Sequence, residues 1–94
     1  MNQLSLSVPA YRREVGVVAP VEGGTVLVRV VDGAVELSGD PAGLRDLARW
    51  CLSLSDSSAP DGSHIHLDPG TVPLSLQSTP LTIARDDGID AIPD

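Results

Sequence analysis

Two periods organise the apolar and polar positions of this chain. Across residues 25–38, a run rich in β-branched residues, the dipeptide Asp32-Gly33 and a second alternating run predict a hairpin. A two-residue Asp-Gly connection favours a type I′ turn and sets the register, so Val31 faces Ala34, Val30 faces Val35, Arg29 faces Glu36 and Val28 faces Leu37. Val26, Val28, Val30, Val35 and Leu37 then share one face, expected to be covered, while Arg29 and Glu36 meet on the other.

Across residues 39–55 the period becomes helical. Asp40 suits an N-cap and Pro41 the first helical position, and Leu44, Leu47, Ala48, Cys51 and Leu54 recur at three- and four-residue steps. The expected helix, 41–55, thus buries that stripe and turns Arg45, Asp46, Arg49 and Ser53 to water, with Trp50 and Leu52 at its margins. The loop chemistry of residues 56–62 predicts a mobile connection.

Alternation returns at Ser63, where Ile65 and Leu67 point one way and His64, His66 and Asp68 the other. Two further strands are expected, a weaker one at 72–77 and a firmer one at 81–84, with Pro73 and Pro80 confining them to edges or first positions. Ahead of the hairpin, short apolar runs at 4–8 and 15–18 offer extra edge strands or an arm. The chain divides into an N-terminal extension or extra strands (1–24), a ββαββ core (25–85) and an acidic tail (86–94). The fold class expected is α+β: a small, mostly antiparallel sheet of three to five strands with one amphipathic helix on one face.

Composition narrows the function classes. Thirteen acidic residues against six arginines and no lysine give a net charge of −7, which repels phosphate backbones and anionic membranes and attracts a basic partner surface. Nucleic acid and membrane are therefore not expected as partners. The single cysteine, Cys51, expected on the buried stripe, rules out an intrachain disulfide and a thiolate metal cluster. No run is apolar enough to span a bilayer, and the N-terminus lacks a basic then apolar leader, so a cytoplasmic protein is expected.

The chemically suggestive cluster is His64, His66 and Asp68. Two imidazoles two residues apart on a strand point the same way and could share a metal with Asp68 or Glu36 as third ligand. A solvated polar face accounts for the same pattern first, a protein interface second and a metal site third. Ser63 and His64 point to opposite faces and make a poor nucleophile–base pair. Trp50 could anchor an interface. The candidate binding residues are thus His64, His66, Asp68, Arg29, Glu36 and Trp50, with no catalytic set and no cofactor.

The stretch VELSGDPAGLRDLARWCLSLS, followed by SHIHLDPG and a closing aliphatic strand, resembles the small bacterial proteins of the immunity protein 32 family. The resemblance covers residues 35–85, and its most specific part pairs the helix entrance at Leu37 to Leu44 with the His-x-His-Leu-Asp run. It implies an α+β protein that neutralises a cognate toxin by binding it. The N-terminal stretch through Gly24 and the acidic tail depart from that pattern. The function expected is a non-enzymatic protein-binding protein whose partner is a toxin or a pathway enzyme. A small metal-binding or catalytic accessory protein using His64, His66 and Asp68 is the alternative. A single helix leaves one sheet face uncovered, which admits a homodimer through that face or through an edge strand.

Overall fold

A computed structural model of the chain describes residues 3, 5–8, 10–12 and 21–89. Its elements are β1 (Val26–Val31), β2 (Ala34–Gly39), α1 (Pro41–Leu54), β3 (His64–Leu67) and β4 (Leu81–Ala84), an α+β fold in the order ββαββ. The run at 15–18 lies outside the described residues. Residues 5–8 form no strand. No helix among the described residues is long and apolar enough to cross a membrane.

The first hairpin follows from its turn. Asp32 and Gly33 both take positive φ, 51° and 80°, as a type I′ turn requires, and the register pairs Val28 with Leu37 and Arg29 with Glu36. The strands do not merge into one sheet of three to five. They form two antiparallel pairs, β1 with β2 and β3 with β4. The expected strand at 72–77 is reduced to one bridge between Leu74 and Val26, because the segment turns at 71–74 and again at 75–78. That segment nonetheless closes the open edge of β1: Val26 N–H donates to Pro73 O (2.8 Å), and the N–H groups of Ser75 and Thr79 donate to Val26 O and Val28 O (2.7 and 2.8 Å). Leu74 and Leu67 are thereby carried beneath α1, and with Val26, Val28, Leu47 and Trp50 they make the core. Ile65, Leu81 and Ile83 pack around it.

The helix has the expected cap. Asp40 accepts from Gly43 N–H at 2.8 Å, Pro41 opens the first turn, and Ser55 closes the last. Its buried side differs from the expected stripe. Gly43, Asp46, Leu47, Trp50, Ser53 and Leu54 are buried, whereas Leu44, Ala48, Cys51 and Leu52 are exposed, a rotation of roughly 90° at 3.6 residues per turn. Trp50 is therefore in the core rather than at a margin, and Cys51 is a free, exposed thiol. Two causes set the rotation. Gly43 has no side chain to hold the helix off β1, so its turn sits against the Thr25 backbone and the Val26 side chain. Burying the indole also removes more apolar surface from water than burying Leu44 or Cys51 would.

The hairpin reaches past the helix. Only Val26 and Val28 of its aliphatic face are buried; Val30, Val35 and Leu37, expected under the helix, are exposed. The connection at 56–62, expected to be mobile, is tied down by Arg85, just after β4. Its Nη1 donates to the carbonyls of Leu54 (3.3 Å), Asp56 (2.7 Å) and Ala59 (2.8 Å). A cation at the last carbonyls of α1 satisfies acceptors that the helix leaves open and complements its dipole. The start of the expected tail is also anchored, through Asp87 N–H to Asp61 (3.0 Å).

Candidate functional site

β3 and β4 position the polar cluster. Leu67 points into the core with Ile65 beside it, so alternation turns His64 and His66 outward, away from the core. The register sets Thr82 opposite His66, on the same face. His66 Nδ1 lies 2.7 Å from Thr82 Oγ1, and His66 Nε2 lies 2.8 Å from Asp68 Oδ1. A carboxylate only accepts, so a neutral ring donates from Nε2 to Asp68 and accepts a hydrogen bond from the Thr82 hydroxyl at Nδ1. His64 stands apart, its Nδ1 3.2 Å from Gly62 O.

This is a hydroxyl–imidazole–carboxylate chain on an exposed strand. The His66 and Asp68 side chains are 50% and 69% exposed, so water competes at each link. Such a surface offers a fixed row of donors and acceptors to an arriving partner. The water-excluding walls that strengthen a transition-state contact are not built into it. Both His66 nitrogens are engaged, and among the described residues no group of three or more His, Cys, Asp or Glu is placed to hold a metal ion.

The other candidates fall elsewhere. Arg29 and Glu36 meet at 3.3 Å as the register requires, both half-exposed, a pair worth under about 1 kcal/mol. Glu36 belongs to the other sheet and pairs with Arg29, so it is not brought to the histidines. Trp50, 1% exposed, is buried in the core, away from any surface contact. Thr82 escaped the sequence reading because its partnership needs the β3–β4 register, which no short turn announces.

A second polar cluster, also absent from the sequence reading, joins the segment before β1 to the outer side of α1. Arg45 grips the Glu22 carboxylate through Nε (3.1 Å) and Nη2 (2.8 Å), and Arg49 pairs with the same carboxylate. Asp46, fully buried, accepts from Glu22 N–H (3.1 Å) and from Arg49 (3.2 Å). Hydrogen bonds from Arg45 and then Arg49 lower the Glu22 carboxyl from its ordinary 4.5 to about 2. The carboxyls of Asp40, held by the N–H groups of Gly43 and Thr25, and Asp56, held by those of Ser58 and Tyr11, are lowered as well.

These groups are more acidic in the folded chain than in the unfolded one. Their stabilisation is therefore complete above the unfolded carboxylate range and is lost as pH falls through the folded values. The thermal midpoint of the wild type is expected to fall steadily from about pH 4.5 toward pH 2. Glu22→Gln should start lower at neutral pH and decline less steeply. Circular dichroism melts over that range check this, and parallel profiles for the two proteins would contradict it.

The N-terminal segment adds a groove along α1. Arg49 Nε donates to Ser7 O (3.3 Å), and Tyr11 N–H donates to Asp56 Oδ2 (3.0 Å). Between that segment and the helix, Ser5, Leu6, Pro41, Leu44, Arg45 and Ala48 line a space of about 700 Å³.

Comparison with known proteins adds one finding. No curated protein and no solved structure matches the chain. A family model described as Immunity protein 32 matches residues 34–86, running from the first residue of β2 through α1 and β3 to just beyond β4. It includes the helix entrance at Leu37 to Leu44 and the run from His64 to Asp68, the parts whose sequence carries the resemblance, and it takes in more than half of the chain. The chain therefore belongs to the immunity protein 32 family.

Proposed function

We propose that this protein acts by binding and occluding a partner protein, as an immunity protein neutralises its toxin, and catalyses no reaction. The family match over residues 34–86 carries this reading. The charge of −7 supports a partner with a basic surface, because opposite potentials steer encounter and suppress wrong partners. The outward face of β3 and β4 is the contact surface in this reading, with His66 held by Asp68 and Thr82, and His64 beside it. Arg29 and Glu36 extend the polar surface on the other sheet. Action in the cytoplasm belongs to the same proposal, since a toxin is neutralised where it would otherwise act.

The test is to look for a toxin-like protein encoded beside its gene and to co-express the two chains; absence of any such neighbour counts against the reading. Growth is expected to be restored, and the two chains to elute together. A His66→Ala, Asp68→Ala double variant should retain its fold and lose rescue. Failure of the wild type to rescue or to form a complex would overturn the reading.

A further inference from the structure

We propose that β2 is the subunit contact of a twofold homodimer, in which its outer edge pairs antiparallel with β2 of a second copy, centred on Leu37. Hydrogen-bond geometry supplies the first argument. On β1, the groups turned away from β2 belong to Val26 and Val28, since these bond the 73–79 segment. Val26 and Val28 face Gly39 and Leu37 across the ladder, and facing residues of such a pair both direct their backbone groups away from each other. The N–H and C=O groups of Val35, Leu37 and Gly39 thus point outward, and among the described residues no strand takes them up. Unlike the closed edge of β1, this is a template for another strand.

Side chains select a second copy. Val30, Val35 and Leu37 share the face of Val28, and Val35 is 72% and Leu37 44% exposed. Twofold pairing of a strand with itself matches residues of like parity. Centring on Glu36 would set two carboxylates face to face, and centring on Ser38 would set Glu36 against Asp40; like charges directly opposite destabilise a ladder. Centring on Val35 runs Leu37 into the turn at Gly33. Centring on Leu37 places Leu37 on Leu37, Glu36 on Ser38 and Val35 on Gly39, with no opposed charges. Leu44 fills the space over Gly39 and is itself half exposed, so Val35 of the second copy, set opposite Gly39, meets an apolar side chain. The contact is made twice about the axis.

This dimer uses the β2 edge and leaves the outward face of β3 and β4 free, so its failure and that of the toxin-binding reading are read separately; Glu36 alone belongs to both surfaces. Two chains of −7 repel at low ionic strength, so added salt should tighten an interface made of apolar side chains and backbone hydrogen bonds.

The full chain is to be weighed by light scattering after gel filtration across concentration and salt. Twice the single-chain mass is expected, with the dimer fraction rising with salt. Leu37→Lys and Val35→Lys should each give monomers that melt cooperatively. In a Cys51→Ser background, Leu37→Cys should form an oxidised dimer, because facing hydrogen-bonded Cα atoms lie about 5.5 Å apart, within disulfide reach. Glu36→Cys should not, since its copies would be diagonal neighbours about 7–8 Å apart. A wild type that stays monomeric at high concentration, a dimer that survives both lysine variants, or preferential crosslinking at position 36 would overturn the proposal.

Discussion

Trp50→Ala is expected to leave the chain only marginally stable at room temperature, with about 0–2 kcal/mol of its stability remaining. The indole is 1% exposed and lies in the core with Val26, Val28, Leu47, Leu67 and Leu74. Truncating a buried Trp costs about 3–5 kcal/mol through lost burial and the cavity left behind. A domain of this length has roughly 5–14 kcal/mol of stability in total, and one with a small aliphatic core belongs near the bottom of that range. Trp50→Phe separates the packing term from the polar one. Trp50 Nε1 is buried without a hydrogen-bond partner among the described residues, so phenylalanine loses area but also removes an unsatisfied donor that costs about 1–3 kcal/mol. Phenylalanine should therefore fold, with a loss of about 1–2 kcal/mol. Far-ultraviolet circular dichroism and urea unfolding check both variants. A cooperative Trp50→Ala melt within a few degrees of wild type would show that the indole is not the centre of the core.

Gly43→Ala should destabilise the protein even though alanine is the better helix former. A β-carbon at position 43 would lie 2.5 Å from Thr25 O, 2.9 Å from Thr25 C and 2.9 Å from Val26 Cγ2. Two of those atoms are backbone, so relief requires α1 to lift from β1. Intrinsic propensity favours alanine by about 1 kcal/mol, whereas overpacking costs typically 1–3 kcal/mol and more where backbone must move. A net loss of about 2 kcal/mol is expected, or a fall of about 8–16 °C in thermal midpoint at this chain length. Gly24 sits at the same junction, where an added β-carbon would come 2.2 Å from Gly43 N, so the helix start rests on a backbone-to-backbone contact at both positions. An unchanged or raised midpoint for Gly43→Ala would mean that propensity outweighs this contact.

The candidate surface was half legible in the sequence. Alternation alone placed His64 and His66 outward and Leu67 inward, because successive residues on a strand must point to opposite faces. What it could not supply was Thr82, whose hydroxyl reaches His66 only because β4 returns beside β3 after a long excursion along β1. The Glu22, Arg45, Arg49 and Asp46 cluster was hidden for a related reason. Asp46 reads as a solvent-facing charge on the helix, and only the arrival of Glu22 N–H and Arg49 makes its burial tolerable. Arg85 gave no local sign that it would cap a helix ending thirty-one residues earlier at Leu54.

What the amino-acid sequence determined by itself was local: the Asp32-Gly33 turn and its register, the Asp40-Pro41 helix start, the stop near Ser55 and the strands at His64–Leu67 and Leu81–Ala84. Each depends on dihedral preferences and hydrogen bonds between near neighbours, which the adjoining residues specify. Tertiary structure decided which side of the helix is buried, how far the hairpin is covered and that the strands form two pairs. Those outcomes turn on competition for a small core. Trp50, Leu67 and Leu74 meet Val26 and Val28 from distant parts of the chain, and the arrangement that excludes most water from the indole displaces Leu44, Cys51, Val30 and Val35 to the surface.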